Sequence, residues 1–552
     1  MIINHNLTSL SAVNASRITH DMLQKSVQPL ATGLRINSAA DDASGIAISE
    51  KMRSQTAGYS MAVRNAQDGI SLLQTAEGAL EDSNTILQRM RELAVQSAND
   101  TLTSQDRQHI DEEVQALKGK LDMVAESTQF NTKKLLDGTS GLLWSSDSLS
   151  MRAVVRGSSS LDVKPSGSYR LEIRATPGKA QIQKSNVFSA ATLRRIEQTA
   201  DSEDDDEEPE VFAVFNEEAN TLRDIAQFRT SEGTFIVSEP QRLIIVQGNG
   251  QTASLTLYGN DTLYDLADKI NEAVSDSLGQ SAYVDDSGKF SRLTDSTLSL
   301  NEDGESYTLN ASLVVQSAVP GKSGELFLSG NDDLLEALGM NTVQESSEST
   351  YNISIYDADS GEALVSDVKI TGNVLYGAIG DNVDVAFDPM AGTFASWDKD
   401  AEQYVLTGED AYSAVLNLKN SGIIFQVGTN QAENFAVQFG DVSSNGLGVG
   451  GVNVLTRELA SRSIGIIDRA IEDVVKQRTQ IVSYSDSLQH TAANLAQSGS
   501  NLTESRSRIT DADTAKSTLR FIEFQILSKG QDMIIAVANQ QPEAVYSLLN
   551  KE

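Results

Sequence analysis

Residues 66–97 read AQDGISLLQTAEGALEDSNTILQRMRELAVQS, and one stripe of small and apolar residues runs along them in alternating steps of three and four. Steps of this size return to the same face of an α-helix, and over roughly four heptads they approach the seam of a coiled coil. The stretch therefore predicts a long helix with one narrow buried face. The members of the stripe are Ala66, Gly69, Leu73, Ala76, Leu80, Ser83, Leu87, Met90, Ala94 and Ser97.

Stripes with the same spacing lie on both sides of this stretch. Leu23, Val27, Leu30 and Leu34 predict a helix upstream, and Thr103 offers an N-cap for another helix downstream. A helix cannot bury a narrow apolar stripe alone, so we expect the N- and C-terminal ends to pack together. The remaining stripes are Ile110, Val114, Leu117, Leu121 and Val124; Ile467, Ala470, Val474, Gln477, Ile481, Tyr484, Leu488, Thr491, Leu495, Ser498 and Leu502; and Ala515, Leu519, Ile522, Ile526, Met533, Ala536 and Gln540.

The middle of the chain, 141–450, differs from the ends. It holds 48 acidic and 19 basic residues, a net charge of −29 out of −34 for the chain. The tract at 201–210 has eight carboxylates and is predicted to be a solvated loop. The fold class is therefore α+β, with coiled-coil helical ends packed together around a large β-rich insertion. Strands are predicted by β-branched runs at 242–246, 253–258, 308–315 and 423–427, with turns at 248–250 and 357–361 and short helices at 263–274 and 333–338.

Few residues are available for catalysis or metal binding. The chain has no cysteine, which excludes disulfides and thiolate metal sites, and its four histidines lie outside 141–450. Asp357 begins a run like a calcium loop, but the glutamate at the last loop position is missing. We predict no enzyme, no cofactor and no metal. The excess of acidic residues disfavours binding to nucleic acid. No apolar run is long enough for membrane insertion, and the first residues lack the pattern of a signal peptide.

Motifs at both ends resemble those of bacterial flagellins. Near the start, GLRIN at 33–37 and DDASG at 41–45 are similar to a family signature, and 87–99 (LQRMRELAVQSAN) resembles the most recognisable flagellin helix. Other similar motifs are TQFN at 128–131, SRITDAD at 507–513 and QQPEAVYSLL at 540–549. Two places depart from the family pattern: KSTLR at 516–520 and Pro29, which is expected to remove a hydrogen bond and kink the first helix.

The resemblance implies a structural subunit that polymerises into the extracellular flagellar filament. It also implies export without a cleaved signal peptide by the flagellar type III exporter, and an export chaperone, cap proteins and junction proteins as partners. The implied domains are a helical segment of the inner filament core at 1–45, a helical core half at 46–140, two or three outer domains at 141–450, the other core half at 451–505 and a second inner segment at 506–552. The residues expected to pack subunits are Leu73, Leu80, Leu87, Met90, Ile481, Leu488, Leu495, Leu519, Ile522 and Ile526.

Flagellins are recognised by host Toll-like receptor 5, and the residues that match its contacts are Arg89, Leu93, Gln96 and Glu113. Packing between subunits is an equally weighted alternative for these four residues. Two main alternatives to the filament subunit also stay open. One is a hook–filament junction protein, which shares the helical ends but caps rather than propagates. The other is an acidic surface adhesin that binds a host ligand through 141–450; an enzyme embedded there is a third and weaker alternative.

Overall fold

The computed structural model describes residues 6–148, 151–155, 166–194, 221–284, 289–294, 297–300, 306–379, 383–408 and 412–549. The acidic tract at 201–210 and His5 lie outside them. The helices are α1 (Leu7–Thr32), α2 (Ala43–Ser97), α3 (Ser104–Ser127), α4 (Leu263–Glu272), α5 (Asp332–Leu338), α6 (Arg457–Thr510) and α7 (Thr514–Leu549). None of the helices in this described part of the chain combines the length and apolar character needed to cross a membrane.

The β-strands follow one another between α3 and α6. They are β1 (Gln129–Phe130), β2 (Lys133–Lys134), β3 (Leu142–Ser146), β4 (Met151–Val155), β5 (Gly167–Thr176), β6 (Ala180–Arg194), β7 (Gln241–Gln247), β8 (Thr252–Leu257), β9 (Ser291–Leu293), β10 (Thr297–Leu300), β11 (Ser306–Pro320), β12 (Leu326–Ser329), β13 (Asn341–Gln344), β14 (Thr350–Asp357), β15 (Ala363–Thr371), β16 (Val374–Leu375), β17 (Val383–Phe387), β18 (Thr393–Asp398), β19 (Gln403–Gly408), β20 (Tyr412–Asn420), β21 (Ile423–Gln426) and β22 (Asn434–Val437). The predicted fold class, helical ends with a β-rich middle, is confirmed.

The fold consists of two compact units. The first contains Met1–Ser71, Ile424–Phe435 and Ser485–Glu552, and the second contains Leu72–Ile423 and Ala436–Tyr484. The boundary between them passes through α2 and α6.

In the first unit α1 packs against α7. The Asn6 side chain caps α1 by accepting from the Ser9 amide, and its amide nitrogen donates to the Ala538 carbonyl at 2.8 Å. Pro29 does not interrupt α1, which continues to Thr32 and closes at Gly33, a residue with φ of +73°. Pro29 has no amide hydrogen to donate to the Lys25 carbonyl, so the predicted loss of one hydrogen bond holds, and the helix ends three residues later.

The hairpin formed by β21 and β22 contributes its outer part to the first unit. Asn65 of α2 donates from its side chain to the Gln426 carbonyl at 2.9 Å. Gly69 lies against Leu488 and Phe425, where a Cβ atom would come within 3.0 Å of the Leu488 side chain. The small residues of the α2 stripe therefore allow close approach, as the sequence indicates.

The predicted stripe on α2 is confirmed as a buried face, since all ten of its members are buried. In the second unit Ser97 donates to the Val454 carbonyl at 2.6 Å, and Arg478 of α6 pairs with Glu81 of α2. The N-cap prediction for α3 is also correct: Thr103 accepts from the Asp106 amide, and Asp106 reaches back to Thr103, so the two form a capping box.

Two hydrophobic clusters fill the β-rich part of the second unit. One lies on an antiparallel sheet of order β15-β14-β5-β20-β3, in which Leu171 pairs with Ile355 and Ala414. The other combines a sheet of β10, β11, β6 and β13, with β9 pairing β11, and a sheet of order β12-β7-β8 covered by α4. The turn at 248–250 joins β7 to β8 as predicted. Smaller sheets are β16-β17-β4, β1-β2, β18-β19 and β21-β22.

Candidate functional site

The residues expected to pack subunits fall into two groups. On α7, Leu519 is 69% exposed, Ile522 43% and Ile526 66%. Leu495 on α6 is half-buried. The other six are buried inside the single chain, so only the α7 group presents large apolar area to another molecule. The buried six are Leu73, Leu80, Leu87, Met90, Ile481 and Leu488.

The α7 stripe predicted from the sequence is therefore not the face that α7 turns to α1. Its members Ala515 and Ala536 are exposed like the three large residues, whereas Phe524 and Ala538 are more buried. A helix with apolar residues on opposite sides requires a partner on each side. α1 provides one partner of α7, and the second side is open in the isolated chain.

α1 also carries exposed apolar side chains. A large apolar area on a monomer marks an interaction surface. Sequence reasoning placed Val27 and Leu30 on a stripe but missed the earlier turns, where the apolar residues follow the helical period less regularly. The exposed residues of α1 are Leu7, Leu10, Val13, Ile18, Met22, Val27 and Leu30. We call these residues, together with Leu519, Ile522, Ile526, Leu527, Met533, Ile534 and Val537 of α7, the terminal apolar surface.

The flagellin-like motifs at 33–37 and 507–513 meet in the first unit. Arg35 donates from Nη2 to the Ile509 carbonyl at 2.5 Å, and its amide donates to the Thr510 carbonyl at 2.7 Å. The Ala512 amide donates to the Gly33 carbonyl at 2.9 Å. Leu34, which the sequence placed on the α1 stripe, lies beyond the helix and bridges to Asp511. These bonds fix the end of α1 beside the end of α6.

The motif at 41–45 forms the start of α2. The Asp42 carboxylate accepts from the Gly45 amide at 2.9 Å, and a Cβ on Gly45 would meet Asp42 Oδ2 at 2.5 Å and Ile36 Cδ1 at 2.7 Å. Asp41 accepts from the Asn37 and Ser38 amides, both at 2.9 Å. Hydrogen bonds from backbone amides lower the pKa of both carboxyl groups. A side chain at 45 would therefore require the ends of the Asp42 and Ile36 side chains to move, which favours glycine at this position.

The four residues that match the receptor contacts differ in their solvent exposure. Arg89 pairs with Glu113 at 2.8 Å across α2 and α3, and the hydrogen bond to Glu113 raises the pKa of the guanidinium. Gln96 is also exposed. Leu93, in contrast, is only 2% exposed. Steps of four and three therefore keep these residues near one another, but Leu93 faces inward.

Sequence reasoning missed a buried polar cluster on α3. Lys118 donates from Nζ to the Gly450 and Val452 carbonyls, both at 2.9 Å. Asp111 accepts from the Val454 amide at 3.0 Å, and Asp122 accepts from the Ser444 amide at 2.7 Å. Burial raises the pKa of Asp111 and lowers that of Lys118. We call Asp111, Lys118 and Asp122 the α3 clamp, because they fix the path of 444–454 into α6.

The described residues contain no cluster of three or more histidine, aspartate or glutamate side chains that could hold a metal ion. At 357–361, Asp357 accepts from the Asp359 and Ser360 amides at 2.9 and 2.8 Å. Its carboxylate is thus used in a turn, as expected from the sequence.

Three family models match this chain. The bacterial flagellin N-terminal helical region matches 3–141, the bacterial flagellin C-terminal helical region matches 464–549, and the flagellin hook IN motif matches 244–303. The fold thus defines a class of protein in which paired flagellar-type helical ends enclose a β-rich insertion. The chain belongs to the bacterial flagellin family.

Curated relatives match about a quarter of the chain. It is 55% identical to the flagellin of Clostridium tyrobutyricum over 139 residues, 25% of this chain and 37% of the relative. It is 51% identical to the flagellin of Bacillus subtilis over 141 residues, 25% of this chain and 46% of the relative. The matches thus span about half the length of such relatives or less.

Among solved structures, this chain is similar to flagellar hook associated protein-3 from Legionella pneumophila. The two sequences are 11% identical, and the match covers 83% of this chain and 98% of that chain. Its TM-score is 0.26, which carries no argument about this fold.

Proposed function

We propose that this chain is the structural subunit of a bacterial flagellar filament, which polymerises through its helical ends and is located outside the cell. The terminal apolar surface is the observation that carries this proposal. It lies on α1 and α7, within the two matched terminal regions, and water is a poor environment for it. Copies that bury this surface against one another gain the hydrophobic free energy that the single chain leaves unused.

The charge distribution supports the same assembly. The two ends together carry a net charge of −5, whereas 141–450 carries −29. Packing the nearly neutral ends at the centre of a polymer keeps the strongly acidic part apart from other copies and in contact with solvent. We infer that 141–450 faces outward.

We propose the domain boundaries stated above, with 1–45 and 506–552 in the inner core, 46–140 and 451–505 in the helical core, and 141–450 outside. A division of 141–450 into at least two domains is supported by the two separate clusters, one around Leu171 and Tyr351 and the other around Leu243 and Leu313. The subunit-packing role is assigned to the α7 residues Leu519, Ile522 and Ile526 in contacts between copies.

Export by the flagellar type III route without a cleaved signal peptide, with an export chaperone, cap proteins and junction proteins as partners, is part of this proposal and is supported by membership of the family. Recognition by Toll-like receptor 5 is proposed for the exposed residues Arg89, Gln96 and Glu113. Leu93 would support that surface from below.

Seeded polymerisation of the purified full chain tests the proposed function. Fragments of preformed filaments are added to monomer, and electron microscopy records whether filaments grow. Growth with the chain as the main component supports the filament subunit. Caps at filament ends without growth favour the junction protein, and the absence of any association contradicts both.

A further inference from the structure

The sheet β12-β7-β8 and the helix α4 that covers it lie against the helices of the second unit without a short covalent connection to them. β7 begins at 241, far along the chain from the end of α3 at 127, and β12 ends at 329, far from the start of α6 at 457. Connections of this length leave the position of a module to its noncovalent contacts. We call β7, β8, β12 and α4 the docked module.

An ion pair joins the start of β12 to α6. The Glu325 carboxylate, directly before β12, pairs with the Arg462 guanidinium. Ser346 donates from Oγ to Glu325 Oε1 at 2.6 Å, and Arg462 Cζ lies 5.3 Å from the centre of the Phe327 ring. The Glu325 side chain is 13% exposed and that of Arg462 32%. The pair is therefore largely shielded from water.

A second polar contact joins the chain just after β12 to α3. Ser104, the first residue of α3, donates to Asp332 Oδ1 from its hydroxyl at 2.6 Å and from its amide at 3.2 Å. The first amides of a helix have no partner within the helix, and the helix N-terminus favours a negative charge. The Asp332 carboxylate suits both conditions. The segment containing β12 is thus attached at both ends, to α6 before the strand and to α3 after it.

The docked module also makes an apolar contact and a backbone contact. In the backbone contact, the turn between β7 and β8 meets the loop that the α3 clamp fixes, where a Cβ on Gly250 would lie 2.2 Å from the Gly451 carbonyl oxygen. In the apolar contact, side chains of β7 and β12 pack against others at the start of α6. They are Ile244, Val246, Phe327, Leu455 and Leu459.

The apolar contact accounts for attraction but not for one orientation, because the hydrophobic effect is not directional. The ion pair adds little net free energy, since the lost hydration offsets most of the attraction. Arg462 Nη1 is moreover buried without a hydrogen-bond partner in the described part of the chain. A displaced module, however, would separate Glu325 from Arg462 while both stay partly shielded from water, which costs free energy. The polar contacts therefore discriminate between orientations.

We propose that Arg462 and Asp332 are positioning residues, which hold the docked module in a single orientation on α3 and α6. This inference goes beyond the proposed function, because it concerns the single chain and requires no polymer. Its consequence for a filament does rest on the proposed function: every copy would present the docked module in the same orientation relative to its helices.

Distances between spin labels on the full-length monomer test this inference. The chain has no cysteine, so Asp268→Cys and Lys476→Cys place one label on an exposed position of α4 and one on an exposed position of α6. Double electron–electron resonance then gives the distribution of the distance between module and helix. A second pair, Lys120→Cys with Lys476→Cys, reports on α3 and α6 alone.

Three variants are compared in each labelled chain. Arg462→Met breaks the ion pair, the double variant Arg462→Met with Glu325→Leu replaces it by apolar side chains, and Asp332→Ala removes the contact after β12. Arg457→Met is the matched control, since this arginine of α6 pairs with the exposed Asp100 outside the docked module. Urea denaturation measures the stability of each variant. Asp332→Ala decides the test if Arg462→Met does not fold.

We expect Arg462→Met and Asp332→Ala each to widen the distribution between the α4 and α6 labels at least about twofold, while the α3–α6 distribution and the control stay unchanged. The double variant should regain the urea midpoint but stay wide, which a merely stabilising ion pair would not produce. An unchanged width in either single variant, or a double variant as narrow as the unmodified chain, overturns the inference. Neither result affects the proposed function, which fails separately if the unmodified chain does not grow on seeds.

Discussion

Leu142 and Asn420 lie directly opposite each other in the antiparallel pairing of β3 and β20, although 278 positions separate them in the sequence. Next to this pair the Ser421 amide donates to the Gly141 carbonyl at 2.8 Å. The β-rich insertion therefore leaves and re-enters the helical part at neighbouring points. Opposite residues of an antiparallel pair are about 5 Å apart, a distance that a short loop can close.

This adjacency predicts that most of the insertion can be removed. We expect a chain in which 143–419 is replaced by a two-residue Asn-Gly turn to polymerise on seeds, because the terminal apolar surface and the α3 clamp remain. Electron microscopy and sedimentation measure the outcome. An adhesin would lose its ligand-binding part in this variant. Loss of polymerisation with retained helical circular dichroism would count against the proposed filament subunit.

Two aspartate substitutions should separate folding from assembly. Leu488 is fully buried, so Leu488→Asp should lower the free energy of unfolding by at least about 3 kcal/mol. Ile522 is exposed, so Ile522→Asp should leave stability within about 0.5 kcal/mol but block polymerisation. Urea denaturation and seeded sedimentation give the two readouts. An Ile522→Asp chain that assembles normally would remove this residue from the packing surface.

Removal of the charge from the α3 clamp should destabilise the second unit. Lys118→Met keeps the length of the side chain but leaves the Gly450 and Val452 carbonyls without their donor, so we expect a loss of about 2 kcal/mol in the free energy of unfolding. Lys120→Met on the exposed side of α3 is the control. Equal stability of both variants in urea would show that water replaces the lysine.

Acid should loosen the junction of α1, α2 and α6. Hydrogen bonds lower the pKa values of Asp41, Asp42 and Asp511 below their ordinary value of 3.8. The folded state therefore holds protons less tightly than the unfolded state, and the stabilisation is present above pH 3.8 and is lost as the pH falls through the lowered values. Amide hydrogen exchange at 33–46, measured downward from about pH 5, should show this loss. Asp42→Asn should reduce the pH dependence.

Because Leu93 is buried and Arg89 is exposed, substitutions at these two residues should affect receptor recognition in different ways. In a Toll-like receptor 5 reporter-cell assay with monomer, Arg89→Ala should raise the half-maximal dose by at least about tenfold if the exposed pair is the contact. Leu93→Ala should act through stability, which urea denaturation would reveal. A reporter that stays silent at saturating monomer would contradict the proposed recognition.

The sequence was sufficient for the helical ends because their period is long and regular. The stripe from Ala66 to Ser97 is buried at every position, and Thr103 caps α3 as predicted. On α7 the period correctly predicted a helix but not which apolar side turns to α1. Two apolar faces on one helix give a similar periodic signal, and only the position of the partner distinguishes them.

Contacts between distant segments were beyond the reach of periodicity. The sequence predicts the strands at 242–246 and 308–315. It does not predict that β11 pairs with β6 or that 244–303 matches the flagellin hook IN motif. The α3 clamp was missed because charged residues on a helix are usually solvated. The positions 111, 118 and 122 do lie seven and four residues apart, which places them on one side of α3 and was the available signal.

The α3 clamp limits which amino-acid substitutions the loop at 444–454 can accept. Lys118 donates to two main-chain carbonyl oxygens, and every amino acid has such an oxygen. These hydrogen bonds therefore depend on the backbone path of the loop and not on the identity of its side chains. Val452 is consequently free to drift to residues of similar size, whereas Gly451 is not, because a Cβ there would meet the Asn249 carbonyl oxygen at 2.4 Å. Position 452 should thus tolerate substitutions that the adjacent position 451 does not.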